Sequence, residues 1–126
     1  MINKNQLIEY FYQGTKSKNK IKIGVEHEKF ILNKDTLLPV SYDEKNGIKN
    51  ILEKLTLKGW KPLYDDNQQT IIALKKGKES ITLEPGGQIE LSGAPLDNIH
   101  ETCEETTNHL RELKKLGNEL NFILLG

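Results

Sequence analysis

Four glutamates stand in three short strand-like runs, and their spacing points more directly to chemistry than any other feature of the sequence. Glu26 and Glu28 lie two residues apart in "IGVEHEKF", and Glu84 and Glu90 flank a Pro-Gly-Gly in "ITLEPGGQIELSGAP". Side chains alternate along a strand, so residues i and i+2 point the same way, roughly 7 Å apart. Two carboxylates on one face repel each other, and one is expected to hold a proton at higher pH than usual unless a cation intervenes. Hard oxygen ligands of this kind suit Mg²⁺ or Mn²⁺.

The second pair of glutamates is expected to share a face in the same way. Pro85 followed by two glycines is typical of a tight turn, so the two runs form a hairpin or a bulged strand. Glu84, Gln88 and Glu90 then point away from the apolar residues of the runs, which are Ile81, Leu83, Ile89 and Leu91. A rigid face with four carboxylates would hold cations and, through them, phosphates. The alternative is an ordinary amphipathic sheet whose glutamates face solvent, and each motif taken alone favours that alternative.

Three helices are predicted around these strands from the spacing of apolar residues. The first covers about residues 3–13, with its apolar side at Leu7, Ile8 and Phe11, and ends at Gly14. The second follows a possible capping box of Ser41 and Glu44, and its apolar residues are Ile48, Ile51, Leu52 and Leu55. The third covers about residues 97–118, with an apolar stripe of Ile99, Cys103, Leu110, Leu113 and Leu116.

The remaining segments are predicted to be strands of one sheet. They include the first glutamate run at residues 21–33, the run "TIIALKK", the two runs around Pro-Gly-Gly and the final "NFILLG". The fold class predicted is α+β, an antiparallel sheet with helices packed on one face. The final apolar run is interpreted either as a strand of a complete domain or as the point where a larger chain continues.

The histidines and the cysteine are weaker candidates for chemistry. His27 alternates with Glu26 and Glu28, so it is predicted to be packed on the opposite face. His100 and His109 are nine residues apart on one helix, about 180° around its axis, and cannot share a metal. Cys103 falls on the predicted apolar stripe and is interpreted as a packing residue. No catalytic residue is assigned.

Composition excludes several classes of function and partner. The chain has 126 residues, which suits one domain, and its 18 basic residues balance its 18 acidic ones. No nucleic-acid or membrane partner is therefore predicted. A single cysteine favours a reducing compartment, and no signal peptide or membrane span is found at the N-terminus. The predicted location is cytoplasmic.

Three stretches of the sequence together resemble a known family. "IGVEHEKF", "ITLEPGGQIELSGAPL" and "HETCEETTNHLRELK" are similar, in this order, to the N-terminal part of the glutamate–cysteine ligase family of plant and alphaproteobacterial type. The resemblance runs from about residue 21 to residue 126. It implies an ATP-dependent ligase that makes γ-glutamylcysteine from L-glutamate and L-cysteine through γ-glutamyl phosphate, the first step of glutathione biosynthesis. It also implies a fold similar to that of glutamine synthetase.

The resemblance assigns roles to the glutamates. Glu26, Glu28, Glu84 and Glu90 match the family's ligands for Mg²⁺ or Mn²⁺, and Gln88 is placed near the nucleotide or substrate. Glutamate, cysteine and ATP are then the expected small-molecule substrates. Phosphoryl transfer needs charge neutralised and groups aligned more than it needs a covalent nucleophile, which agrees with the carboxylate pattern.

Length is the main departure from the family, whose members have several hundred residues. Residues 1–126 are therefore expected to be the N-terminal part of an incomplete catalytic domain, inactive alone, and to associate through unpaired sheet edges. Two other functions remain open. One is a related carboxylate–amine ligase that uses another amine, and the other is a non-catalytic truncated module that binds metal or a partner.

Overall fold

A single six-stranded sheet forms the centre of the computed structural model, which describes residues 2–126. The strands are β1 (Glu26–Asn33), β2 (Lys61–Tyr64), β3 (Ile71–Lys76), β4 (Glu79–Glu84), β5 (Gln88–Ser92) and β6 (Phe122–Leu125). Their order across the sheet is β2-β3-β4-β5-β1-β6, and every neighbouring pair is antiparallel. The strand β1 thus lies in the interior of the sheet, between β5 and β6, although it is the first strand in the chain.

Three α-helices accompany the sheet within the described residues. They are α1 (Lys4–Gln13), α2 (Ile48–Thr56) and α3 (Ile99–Leu120), and a short 3-10 helix covers Lys18–Lys20. The prediction of an α+β fold with an antiparallel sheet is confirmed, and α2 and α3 cover one face of that sheet. None of the helices in residues 2–126 combines the length and the apolarity needed to cross a membrane.

The hydrophobic core lies between the sheet and these two helices. Side chains of β3, β4 and β5 that point towards the helices alternate with side chains that point away from them, as strand geometry requires. They meet the apolar sides of α2 and α3 in a cluster that includes Leu74, Ile81, Ile89, Leu91, Ile51, Leu52, Leu55 and Leu113, all fully buried. Burying each such side chain contributes about 1.5–3 kcal/mol. The core therefore fixes which side of each strand faces away from the helices.

The start of α2 differs from the prediction. Residues Ser41 and Glu44 do not form a capping box, because the chain first makes a compact turn and the helix begins only after Gly47. The backbone of Gly47 lies so close to three carbonyl groups that an added Cβ would be 2.6 Å from the oxygen of Ser41. The four apolar residues predicted for this helix are all buried, so its inward face was predicted correctly.

The buried face of α3 also differs from the predicted apolar stripe. Leu113 and Leu116 are buried as expected, but Cys103 is exposed and 61% of Ile99 is accessible. The buried face instead includes two polar residues, Thr102 and His109. The apolar spacing was misleading because polar side chains occupy part of the face that packs on the sheet.

The two ends of the chain are organised differently. Helix α1 has the predicted bounds and ends at Gly14, but all of its described residues are exposed. Strand β6 pairs with β1 from Phe30↔Leu125 to Asn33↔Phe122, which confirms the final run as a strand. It forms one edge of the sheet, with β2 at the other edge. Association through these edges remains a prediction.

Candidate functional site

The predicted glutamates lie together on the face of the sheet that points away from α2 and α3. Strands β4 and β5 form the hairpin that was one of the two expected arrangements, and β1 pairs with the other side of β5. In this register, Glu28 is directly opposite Glu90, Glu26 is opposite Ser92, and Glu84 is opposite Gln88. Directly opposite residues project to the same face, with Cβ atoms about 5 Å apart. We call this surface of Glu26, Glu28, Glu84, Gln88 and Glu90 the glutamate face.

Glu90 is the central residue of the glutamate face and the most buried of its carboxylates, with 8% of its surface exposed. The hydroxyl of Thr82, on the neighbouring strand, donates to Glu90 Oε2 at 3.1 Å. The hydroxyl of Ser92 donates to Glu90 Oε1 at 3.2 Å. Both oxygens of Glu90 are therefore held by short hydroxyl side chains, which fixes the carboxylate.

The like charges of the glutamate face affect the pKa of Glu84. A hydrogen bond shared with the Glu90 carboxyl raises the pKa of Glu84, with partial burial and the charges of Glu90, Glu28 and Glu26 adding to the increase. A proton held at unusually high pH was expected from carboxylate repulsion, and the raised pKa of Glu84 agrees with it. A cation on this face would remove the same repulsion.

The turn between β4 and β5 sets the separation of Glu84 and Gln88. Gly86 and Gly87 both have positive φ, at 84° and 76°, which only glycine adopts at little cost. The amide of Gly87 donates to the carbonyl of Glu84 and closes the turn at 3.0 Å. A Cβ on Gly87 would lie 2.9 Å from Cδ1 of Ile48, so α2 packs directly against this turn. The "EPGG" sequence thus serves to shape the hairpin.

Two lysines that sequence reasoning missed share the face with the glutamates. Register places Lys61 opposite Lys75, and Lys75 opposite Ser80. Ser80 is in turn opposite Ser92, which is opposite Glu26. One cross-strand row therefore carries positive charge at β2 and β3 and negative charge at β1. Sequence reasoning missed the two lysines because their position depends on the pairing of distant strands, and no local pattern relates residue 61 to residue 26.

The donor set fits a cation that also carries other ligands. No three Asp, Glu, His or Cys side chains in residues 2–126 are grouped closely enough to hold a metal ion by themselves. The glutamates instead form pairs on an open surface. Magnesium usually keeps several waters and is bound through one or two carboxylates plus substrate phosphates, so paired carboxylates on an open face suit it.

The remaining candidates lie elsewhere. His27 pairs with Leu91 on the core side of the sheet and is half-buried, as predicted, and burial lowers its pKa. His109 is buried on α3, whereas His100 is exposed near the start of that helix. Among these residues the structure brings none onto the glutamate face.

Comparison with known proteins identifies the family of the chain. Residues 22–126 match the model of glutamate-cysteine ligase family 2, which covers most of the sequence. The chain belongs to this family. The resemblance seen in the glutamate motifs is thereby confirmed.

Curated plant proteins are similar along almost the whole chain. Glutamate–cysteine ligase A, chloroplastic, from Oryza sativa subsp. japonica is 44% identical over 126 residues, and the match covers 99% of this chain and 25% of the rice protein. Glutamate–cysteine ligase, chloroplastic, from Arabidopsis thaliana is 43% identical over 129 residues, covering 99% of this chain and 23% of the relative. The chain thus spans about a quarter of the length of these relatives.

One prediction is overturned by these relatives. The cytoplasmic location predicted from the sequence is wrong by this comparison, because the similar rice, Arabidopsis thaliana and Brassica juncea proteins are all named as chloroplastic. Neither a balanced net charge nor a single cysteine distinguishes a plastid protein from a cytoplasmic one.

Proposed function

We propose that this chain forms one wall of the active site of an ATP-dependent glutamate–cysteine ligase. The reaction would join the γ-carboxylate of L-glutamate to the amino group of L-cysteine through γ-glutamyl phosphate. The observation that carries the proposal is the glutamate face itself, on which Glu28 and Glu90 stand opposite each other in adjacent strands. Family membership and the names of the relatives support the same reaction.

The glutamate face would hold Mg²⁺ or Mn²⁺ together with the phosphates of ATP. A bound cation would neutralise charge on the phosphates. The chain's own contribution is to hold Glu26, Glu28, Glu84 and Glu90 in place before the cation arrives. Thr82 and Ser92 orient Glu90, and the glycine turn positions Glu84. Preset carboxylates would reduce the reorganisation needed when charge develops during phosphoryl transfer.

Gln88 and the two lysines would complete the polar surface. Gln88 is half-buried beside Glu84, where its amide can donate to a substrate or nucleotide oxygen. Lys61 and Lys75 would attract phosphate oxygens from the β2–β3 side of the face. ATP would then bind along the row that runs from these lysines towards Glu26.

The larger architecture is part of the same proposal. We place residues 1–126 in the N-terminal part of a catalytic domain whose fold is similar to glutamine synthetase. The support is the antiparallel sheet with helices on one face and an open polar face opposite them. The groups that bind cysteine would come from outside these residues, as the resemblance to the family implies.

The test is ligation by the complete gene product. ADP release would be followed with glutamate, ATP and Mg²⁺ in the presence of cysteine, and then with other amino acids in its place. Release that depends on cysteine supports the proposal, and faster release with another amine would favour a related carboxylate–amine ligase. Glu28→Gln should lower kcat by at least about 100-fold if the carboxylate acts on the transferred phosphate, the size expected when one electrostatic contact to developing charge is lost.

The control for this test is a glutamate on the other side of the molecule. Glu119→Gln changes an exposed residue of α3 that pairs with Lys54, so kcat should be unchanged. A Glu28→Gln enzyme that ligates at the normal rate would remove Glu28 from the site. A complete gene product that binds nucleotide but shows no turnover with any amine would leave only the non-catalytic alternative.

A further inference from the structure

The loop that leaves β5 lies unusually close to α3 at Gly93. A Cβ on Gly93 would be 2.2 Å from Oε2 of Glu105, closer than real Cβ contacts come, and 3.0 Å from Cγ2 of Val25. The φ angle of Gly93 is not positive, so space rather than backbone conformation requires a glycine here. The backbone of Gly93 therefore lies directly between a side chain of α3 and the residue that precedes β1.

Glu105 holds this loop with both oxygens of its carboxylate. The amide of Ala94 donates to Oε1 at 2.8 Å. The other oxygen, Oε2, is buried against Gly93 and has no hydrogen-bond partner among residues 2–126. Burying an unpaired carboxylate oxygen is unfavourable, so a gain in stability does not explain the contact. One side chain of α3 thus contacts two consecutive residues of the loop.

The loop is in turn bonded to the segment that leads into β1. The amide of Gly93 donates to the carbonyl of Val25 at 2.8 Å. Leu96 and Ile23 exchange two backbone hydrogen bonds, each of 2.8 Å. Because Val25 comes directly before Glu26, the position of the loop determines where the first strand of the glutamate face begins.

The loop also follows Ser92, which has two contacts on the glutamate face. Ser92 is directly opposite Glu26, and its hydroxyl donates to Oε1 of Glu90 at 3.2 Å. Gly93 is therefore one residue from Ser92 along β5 and is bonded to the residue before Glu26 in β1. A shift of Gly93 would move the hydroxyl that orients Glu90 and the strand that carries Glu26 together.

We propose that Glu105 is a positioning residue for the cation site on the glutamate face, a role that rests on the function proposed above. Glu105 acts from the helix-bearing side of the sheet, through the loop at Gly93 and Ala94, and keeps Glu26 and Glu90 in register. Outer partners that orient metal ligands typically contribute about 10–100-fold in metal affinity or activity. Loss of the Glu105 contact is expected to have an effect of that kind.

Three variants of Glu105 separate its hydrogen bond from its charge. Glu105→Met keeps the length of the side chain but removes the acceptor for the Ala94 amide, whereas Glu105→Gln keeps an acceptor oxygen without the charge. Glu105→Asp shortens the side chain by one methylene and is the second loss variant if circular dichroism shows that Glu105→Met is unfolded. Glu104→Met makes the same change at the exposed neighbouring position of α3 and is the matched control.

Mn²⁺ affinity of the complete gene product is the readout that a merely structural role would not change. Free Mn²⁺ is followed by electron paramagnetic resonance, and the binding that is lost in Glu28→Gln/Glu90→Gln is assigned to the glutamate face. We expect Glu105→Met to weaken this binding about tenfold and to lower kcat about tenfold, with KM for cysteine unchanged. Glu105→Gln and Glu104→Met should behave as the unaltered protein does.

Gly93→Ala tests the same contact from the other side. Its Cβ would displace the Glu105 carboxylate, so it should weaken Mn²⁺ binding as Glu105→Met does. Adding Glu105→Met to Gly93→Ala should then have little further effect, because residues in one contact are not additive. Two losses that multiply in the double variant would contradict a shared contact.

The outcomes distinguish the role of Glu105 from the proposed function. Weakened Mn²⁺ binding in a folded loss variant, restored in Glu105→Gln, supports the role. Folded loss variants that bind Mn²⁺ as tightly as the unaltered protein, or a Glu105→Gln variant as weak as Glu105→Met, overturn it and leave the proposed function standing. An unaltered protein that binds no more Mn²⁺ than Glu28→Gln/Glu90→Gln has no cation site on the glutamate face, and both proposals then fail.

Discussion

Glu28 of β1 lies directly opposite Glu90 of β5, so two acidic side chains form a cross-strand pair in the interior of the sheet. Like charges in such a pair destabilise a sheet. The hydroxyls of Thr82 and Ser92 hold Glu90 in this position. An arrangement that is unfavourable for the folded chain alone would become favourable with a cation bound, and this would link the register of the sheet to the proposed function.

Glu28→Gln should relieve the repulsion and stabilise the metal-free chain by about 0.5 kcal/mol at neutral pH, within the range for cross-strand charge pairs. The pKa of Glu84 should also move down towards its ordinary value, because the charge of Glu28 is one of the causes of its increase. Urea unfolding measures the first effect, and ¹³C NMR of the Glu84 carboxyl measures the second. A loss of stability, or an unchanged Glu84 titration, would contradict the repulsion argument.

The pH dependence of stability that Glu84 contributes has a definite sign. Because its pKa is raised in the folded state, its contribution is fully present below the ordinary value of 4.5 and is lost as pH rises through the raised value. Glu84→Gln should remove this loss. The difference in unfolding free energy between the two chains, measured from pH 4 to pH 8, should therefore grow in favour of the variant as pH rises, and a difference that does not vary with pH would contradict the assignment.

His109 should produce the opposite slope. Burial, with a smaller effect from the charge of His27, lowers the pKa of His109 to about 4, against an ordinary value of 6.5. The contribution of His109 to the free energy of unfolding is complete above its ordinary pKa of 6.5. It is lost, by up to about 3 kcal/mol, as pH falls from there through the lowered pKa of about 4. His109→Gln should flatten the unfolding free energy between pH 7 and pH 4.5 relative to the unaltered chain. An unaltered slope in the variant would show that His109 takes up its proton at an ordinary pH.

Thr82→Val should cost about 1 kcal/mol of stability, the usual contribution of one hydrogen bond, because it removes the hydroxyl that donates to Glu90 Oε2. It should also weaken divalent-cation binding, since Glu90 would be less firmly oriented. Thr107→Val, at an exposed position of α3, is the matched control. Equal stability and equal cation affinity in the two variants would mean that the Thr82 hydroxyl does not orient Glu90.

The glycines of the β4–β5 turn allow a paired comparison. Gly86→Ala should cost about 1–2 kcal/mol, the penalty for a side chain at positive φ. Gly87→Ala should cost about 1 kcal/mol more, because its Cβ would also crowd Cδ1 of the buried Ile48, whereas a Cβ on Gly86 meets Phe30 at an ordinary 3.7 Å. Thermal unfolding of both variants tests the order, and a smaller loss for Gly87→Ala would contradict the contact with α2.

Local patterns in the sequence were sufficient to predict the helices and strands and to predict that the glutamates share one face of the sheet. Alternation placed Glu26 and Glu28 on the face opposite His27. The Pro-Gly-Gly turn predicted either a hairpin or a bulged strand, and the structure shows the hairpin, which brings Glu84 and Glu90 together. The inward side of α2 was also predicted correctly. These features depend on residues that are close in sequence, where strand and helix periodicity act directly.

Long-range pairing could not be predicted in the same way. Nothing local indicated that β1 inserts between β5 and β6, so the direct opposition of Glu28 and Glu90 and the shared row of Lys75 and Glu26 were missed. The buried face of α3 was misplaced for a related reason. Thr102 and His109 are buried by tertiary packing, and a pattern of apolar residues gives no signal for buried polar ones.

The central claim is that the glutamate face binds a divalent cation, and Mn²⁺ titration of the 126-residue chain followed by NMR tests it most directly. Paramagnetic broadening should be strongest at Glu28, Glu84 and Glu90, and the double variant Glu28→Gln/Glu90→Gln should bind at least about tenfold more weakly because two carboxylate ligands are lost. Glu79→Gln, on the opposite face of β4, should keep the affinity of the unaltered chain. Broadening centred elsewhere, or a double variant that binds Mn²⁺ as tightly as the unaltered chain, would contradict the claim.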